Sequence, residues 1–288
     1  MSSQDHEIKK SASVKARRII AYVVLTLLSI LCLFWFYLLI VYATHSHGEV
    51  TGDFLALPGK YLGDNWKAIN GGSEDILRGL RNSFIVSGAN ALVCVYFSTM
   101  TAYAIHVYDF KGKKFAFTFI LMIMMIPTQV TILGFLGLIG KMGLTENFLP
   151  LILPAIASPV TFYYLKQYME SALPLALIEA ARIDGSGELR TFNTIALPLM
   201  KPAIAVQAIF SFVGAWNNYF VPSHVLIKKD QLKTIPILIA QLRSKDFKSF
   251  NMASIYLFIA LSIFPVIIVY LALSKNIVGG TALGAVKG

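Results

Sequence analysis

The chain has 288 residues, of which 56% are apolar and 14% charged, with mean hydropathy +0.66 and net charge +10. A soluble domain carries roughly a quarter charged residues, so this composition excludes one and points to a polytopic membrane protein. The basic excess does not indicate nucleic acid, because no basic face is interleaved with exposed aromatics and short cytoplasmic loops of membrane proteins retain Lys and Arg.

Residues 1–18 form a polar tail in which Lys9, Lys10, Lys15, Arg17 and Arg18 crowd the first apolar run. That run, 19–43, carries no charge and is too long for a signal-peptide core. It is expected to be a retained first span, with the basic tail holding the N-terminus in the cytoplasm. Five further spans are expected at about 83–105, 115–139, 149–165, 203–225 and 252–273. Six crossings give an all-α membrane domain over 19–273 and return a C-terminal tail, 274–288, to the cytoplasm. The loop 106–114, with Lys111, Lys113 and Lys114, then lies inside, as does 171–202. The basic loop Lys228–Lys248 falls outside, against the charge rule, which weakens after the first helix.

The expected outer segment Thr44–Arg81 reads as an ordered loop with a short helix near Trp66. His45 and His47 within it lack an acidic or Cys partner at a ligand spacing and read as solvated. His6, His106 and His224 are scattered. Cys32 and Cys94 both fall within spans, with no Cys-x-x-Cys pattern, and read as small apolar packing residues.

No Asp, Glu, Lys or Arg lies inside the six spans. Ion-coupled transporters and pumps place ionisable groups or broken helices in the membrane, so the energy for any transport must enter elsewhere, or the chain is a channel. The spans do hold uncharged polar groups: Ser87 and Asn90; Thr128, Gln129 and Thr131 beside Pro127; Gln207, Trp216, Asn217 and Asn218. Two readings stand. They are interhelical hydrogen bonds, or they line a path for a neutral solute such as a sugar, whose hydroxyls pair with amides and whose C–H face lies on a Trp ring. Pro127, Pro159 and Pro265 sit within spans and favour kinks that either shape the bundle or act as hinges.

The stretch Glu179–Pro198 reads EAARIDGSGELRTFNTIALP. Pro174 suits a first turn, Leu175–Ile183 continues as helix, and Asp184-Gly185 stops it with a residue able to take positive φ. A second helix is expected to Leu197, broken at Pro198, with Leu189, Phe192 and Ile195 on one apolar face. Glu179 has Arg182 within local reach or a partner's Arg across an interface. An amphipathic pair on the bilayer surface is the alternative, but Glu170, Glu179, Asp184 and Glu188 oppose anionic lipid, and a compact knob for a protein groove fits better.

Glu179, Ala180, Ala181, Gly185, Ile195, Leu197 and Pro198 match in spacing the EAA-x3-G-x9-I-x-LP motif of ABC importer permeases. NSFIV from Asn82, TAYAI from Thr101, MMIPTQVTI from Met124, GAWNNYF from Gly214 and the tail GGTALGAVKG extend the likeness, and the chain resembles the carbohydrate-uptake subfamily of maltose type. The resemblance implies the type I ABC importer permease fold and a heterodimer with a second permease. It also implies two cytoplasmic ATPase subunits that bind ATP and Mg, each receiving one EAA loop, and an extracellular solute-binding protein that delivers sugar. Glu179 is then an ATPase contact, Gly185 the turn between coupling helices, and 228–248 the region approaching the binding protein. The chain departs from the pattern at Ile178, where many relatives carry a further Glu. The localisation implied is a bacterial or archaeal cytoplasmic membrane.

No cofactor or metal site is expected in the chain itself. The nearest approach to a phosphate loop, around GLIGKMG, has Phe135 in place of its first Gly and Met142 in place of Ser/Thr. An intramembrane enzyme finds no paired Asp, HExxH or Ser/His arrangement. A passive facilitator, and an importer of amino acids or peptides, are the remaining alternatives.

Overall fold

The computed structural model describes residues 3–52, 54–70, 75–244 and 251–284, and these are helical with no strand among them. The chain divides into two compact units, one of residues 1–69 and 247–261, the other of residues 70–246 and 262–288.

In the first unit α1 (Ser3–Tyr42) runs unbroken from the basic tail through the first apolar run. Two short helices follow, α2 (His47–Gly52) and α3 (Leu62–Ile69), the second containing Trp66 as expected. Asn65 on α3 is the clasp. Its buried amide donates to the carbonyls of Ala43 (2.9 Å) and His45 (2.8 Å). His45 is not solvated: one ring nitrogen lies 2.8 Å from the Leu57 carbonyl, the other 3.1 Å from Glu49. A Cβ on Gly59 would sit 2.6 Å from the Thr44 carbonyl, so this loop needs glycine for close backbone approach. The backbone N–H of Met252, which opens α15 (Met252–Gly284), donates to His47. Lys245 and Lys248 of the basic loop lie outside the described residues.

The second unit is built around α4 (Ile76–Val107), which packs most widely on α12 (Lys201–Trp216) and α8 (Pro159–Ala172). Asp75 caps α4 by accepting from the N–H groups of Leu77 and Arg78. Small buried residues recur along one side of α4, at Gly79, Ser83, Ser87, Ala91, Ser98 and Ala102, which lets neighbouring backbones come close. Asn82 donates to the carbonyls of Gln231 and Lys233, and Ser83 accepts from Ile235 N–H at 2.8 Å, seating the start of α14 (Ile235–Arg243) on α4. Cys94 is buried and donates its thiol to Thr161 Oγ1 at 3.3 Å, so it packs as expected but also links α4 to α8. His106 joins the same two helices through the Leu173 carbonyl, 2.9 Å away.

Among the described residues, four helical stretches are long and apolar enough to cross a membrane: Arg17–Tyr42, Ile76–Val107, Leu149–Ala172 and Met252–Asn276. Three expected spans are not single α-helices. The run 115–139 is split into α5 (Lys113–Ile123) and α6 (Thr128–Lys141), because Met124–Ile126 wind into i→i−3 turns and Pro127 is extended. The run 203–225 ends as α12 at Trp216, and α13 (Phe220–Val225) follows after a turn at Asn217–Tyr219. Leu149–Ala172 is itself composite: α7 (Leu149–Ile152), a 3-10 segment (Leu153–Ala157) and then α8, with Pro159 in its first turn.

Glu146, between α6 and α7, has φ +57°, the left-handed region that costs a β-carbon residue free energy. Its carboxylate repays the strain by accepting from three successive backbone N–H groups, those of Ile227 (2.9 Å), Lys228 (2.7 Å) and Lys229 (3.1 Å). Burial pushes this carboxyl up, but the N–H groups of Lys228, Lys229 and Ile227 and the Lys229 charge outweigh it and hold it below its ordinary value of 4.5. A depressed carboxylate stabilises the fold above its unfolded pKa and loses that stabilisation as pH falls through the folded one. Thermal unfolding in detergent is therefore expected to show wild type losing stability faster than Glu146→Gln as pH drops below 4.5, with parallel curves excluding this clasp.

Candidate functional site

Two features stand out: a charged elbow at residues 174–200 and an uncharged cavity beside α4. The first arm of the elbow is α9, Leu175–Ile183, which ends where the sequence predicts, while Pro174, expected in its first turn, stands just before it as an extended N-cap. It ends in a Schellman turn. Ser186 N–H bonds to the Ala181 carbonyl, Gly185 N–H to that of Arg182, and Gly185 has φ +76°. Gly185 is thus required by conformation, with open space around it.

The second arm corrects two expectations. It does not break at Pro198. After α10 (Glu188–Thr191) the backbone widens into a π segment, Phe192–Ala196, in which Leu197 N–H reaches back to the Phe192 carbonyl. In an α register the Pro198 ring would strike the Thr194 carbonyl; the wider turn makes room, and α11 (Leu197–Leu199) carries Pro198 onward. The side chains of Asn193 and Thr194 donate to the Leu189 and Arg190 carbonyls within this stretch. The direction changes by 82° only between Leu199 and Lys201, where α12 begins. The apolar face is also different: Phe192, Ala196 and Met200 are buried, Ile195 and Leu197 are half-buried, and Leu189 is 69% exposed.

Beneath the elbow these residues join Ala102, Tyr103 and Ile105 of α4, Phe162, Leu165 and Met169 of α8, Leu173, and Ile178 in one apolar cluster. Ile178, at the position of the pattern's further Glu, points into this core and is 1% exposed. Above it, Arg182 pairs with Glu188 rather than Glu179, through Nε–Oε1 at 2.8 Å and Nη2–Oε2 at 3.3 Å. Tyr108, just beyond α4, donates to Glu188 Oε2 at 2.5 Å, and the Arg182 guanidinium lies 5.5 Å from the Tyr108 ring centre. Arg182 and then Tyr108 hold the Glu188 carboxyl below its ordinary range, against a smaller upward push from burial. The two arms are so locked to each other and to the end of α4. Glu179, Ala180, Pro198 and the 86% exposed Ile183 remain on the outside, Ala181 is buried, and Glu179 makes no ion pair among the described residues.

The cavity, about 710 Å3, lies between α4, α6, α8 and α12. It gathers Thr131, Gln207 and Asn218 of the expected path residues, together with Asn90. No charged side chain lines it. Asn90 bridges α4 to its neighbours, its amide donating to the Leu151 carbonyl and its oxygen accepting from Ser211, both at 3.1 Å. Asn218 accepts from Val221 N–H at the start of α13. The other expected path residues are placed elsewhere. Trp216 is buried and stacked on Phe212 (5.6 Å between rings), so its face is used in packing. Trp216 and Asn217 border a smaller cavity of about 270 Å3 with Tyr219 and Arg243. Gln129 is exposed and lines neither.

Residues 95–279 match the family described as the binding-protein-dependent transport system inner membrane component. The chain belongs to that family. It is 31% identical over 98% of its length to the arabinooligosaccharides transport system permease protein AraQ of Bacillus subtilis (strain 168), which it covers completely. It is 30% identical over 94% of its length to the trehalose/maltose transport system permease protein MalG of Thermococcus litoralis, covering 98% of that protein. A solved bacterial ABC transporter involved in the import of the acidic polysaccharide alginate contains a chain of the same fold. Its TM-score is 0.77 at 20% identity, over 91% of this chain and 97% of that one. The protein is therefore a multi-pass transport permease and not an enzyme, working with a separate ATPase, a partner permease and a binding protein.

The lock makes the elbow stiff. Replacing Glu188 by Ala is expected to speed hydrogen exchange of the 185–191 amides and tryptic cleavage after Arg182 and Arg190, while amides in the middle of α4 keep their protection. Unchanged exchange at the elbow would rule the lock out.

Proposed function

We propose that the chain is one half of the translocation path of an ATP-driven, binding-protein-dependent sugar importer, which takes up short oligosaccharides. The single observation that carries this reading is an uncharged polar cavity lined by α12, the helix into which the elbow's second arm continues, in a chain whose full-length relatives are sugar permeases. A neutral lining suits hydroxylated solutes better than amino acids or peptides, whose termini are charged. The relatives from Bacillus and Thermococcus support a bacterial or archaeal cytoplasmic membrane.

In this reading the chain crosses the membrane six times with both termini inside, α5 and α6 together making one crossing and α12 with α13 another. It pairs with a homologous but different permease. The elbow docks in a cleft of an ATPase subunit through Glu179, Ala180 and Ile183, with Gly185 setting the angle and Ile195, Leu197 and Pro198 shaping the second arm. ATP and Mg stay on the ATPase chains. Closure of the two ATPases draws the two elbows together, and the helices rotate from inward- to outward-facing around the solute. Sugar enters from the binding protein near residues 228–248, and hydrolysis resets the complex.

Gly185→Val forces a β-branched residue into positive φ, at about 1–3 kcal/mol. In proteoliposomes with all partner chains, this variant is expected to insert at wild-type level yet lose most ATP-dependent uptake of arabino- or malto-oligosaccharide. Wild-type uptake by Gly185→Val would sink the docking role, and uptake by the chain alone without ATP would sink the importer.

A further inference from the structure

Gln207 is the most telling side chain in the cavity. It is 92% buried by the 8% exposure it retains, lies on α12 at the cavity wall, and makes no hydrogen bond within the protein among the described residues. Its amide atoms are not among the fully enclosed unpartnered side-chain atoms, so they reach the open space of the cavity, where water or a ligand completes their hydrogen bonds. The neighbouring amide, Asn90, is by contrast consumed by Leu151 and Ser211.

One carbonyl adds an open acceptor. Pro154 has no N–H, so the carbonyl of Pro150 in α7 lacks its i+4 donor, and Pro150 lines the cavity. A neutral amide and a carbonyl without its usual donor suit a ligand that both donates and accepts, without net charge. Phe135 and Phe210 supply apolar wall for the C–H face of such a ligand. The volume falls in the roughly 300–1,000 Å3 range of small-molecule sites. The smaller cavity is a poorer candidate, since its Trp216 ring is already covered by Phe212 and Arg243 adds charge.

We infer that this chain itself holds a neutral oligosaccharide unit, bound in the cavity between α4, α6, α8 and α12, with Gln207 as the specificity-determining residue. This rests on the importer reading above and deepens it, because it assigns a ligand site within one permease chain rather than only at the seam between two.

Gly214 lines the same cavity, and a Cβ there meets nothing within 4 Å, so Gly214→Cys places a reporter thiol without distortion. The test uses the assembled complex with Cys32→Ser and Cys94→Ser, labelled by a small methanethiosulfonate reagent. Labelling is followed nucleotide-free and after trapping with ATP and vanadate. Maltotriose and arabinotriose are the probes and sn-glycerol 3-phosphate the charged comparator. In at least one state either trisaccharide is expected to slow labelling several-fold, the comparator is not, and adding Gln207→Ala is expected to raise the protecting concentration about five- to tenfold. No protection by either trisaccharide, equal protection by sn-glycerol 3-phosphate, or an unchanged protecting concentration in Gln207→Ala each overturns the inference. ATP-driven uptake by the same complex is measured in parallel. Uptake without protection removes the intrachain site and leaves the importer standing, whereas absence of uptake removes the importer itself.

Discussion

Every other feature of this molecule follows from the neutrality of its membrane-embedded part. A charge at the bilayer centre costs several kcal/mol unless it is paired or wetted, and the six expected spans contain none. Neutral helices must then hold together by close packing and weak interhelical hydrogen bonds, each about 0.6 kcal/mol in membranes. The small-residue side of α4 answers that need, and the Cys94–Thr161 and Asn90–Ser211 contacts supply the polar links. The same neutrality means that a force on the helices has to be applied from outside them. In the proposed importer the charged elbow, with its apolar underside sunk among α4 and α8, is the place to receive one.

The elbow was legible in the sequence where local rules decide. Asp-Gly after a run of good helix formers gave the C-terminal end of α9 to the residue, its start falling one residue past the Pro174 expected in the first turn, and Gly185 is in the left-handed region as its place in the turn demands. Local rules failed where two outcomes lie close in energy. Pro127 ended a helix and Pro198 did not. The chain at Met124–Ile126 had only i→i−3 turns to offer, whereas Phe192–Ala196 opened into a π turn over a well-packed Phe192. Three-residue spacing put Leu189 with Phe192, but the widened turn shifts the buried side to Phe192, Ala196 and Met200.

Residue type was the weaker guide to the cavity. Asn, Gln and Trp in a span are equally suited to packing and to lining, and the split came out by tertiary position: Gln207, Thr131 and Asn218 line, while Trp216 stacks on Phe212. Glu146 was invisible for a different reason. Its role depends on a positive φ and on loop residues more than eighty positions away, and neither has a sequence signature. The only clue was that an acid sat alone between two apolar helices, opposite a basic loop.

The elbow and the cavity share covalent structure. Its second arm runs through Pro198 and turns by 82° into α12, the helix that carries Gln207 and Ser211 and leads directly to Asn218. Its first arm is fastened by Arg182 and Glu188 to Tyr108, at the end of α4, which carries Asn90. A push on the elbow would therefore reach two of the helices that wall the cavity, one through the backbone and one through an ion pair and a tyrosine. Because Asn90 and Ser211 are hydrogen-bonded across those same two helices, α4 and α12 are tied again at cavity level. In the proposed importer a stiff elbow joined twice to a pair of tied helices moves them as one body, and α8 with them through Cys94–Thr161 and the apolar cluster, so the cavity wall they form shifts relative to α6 rather than collapsing on itself. That division, one wall driven and the other not, is what a site must have if it is to be presented first to one side of a membrane and then to the other.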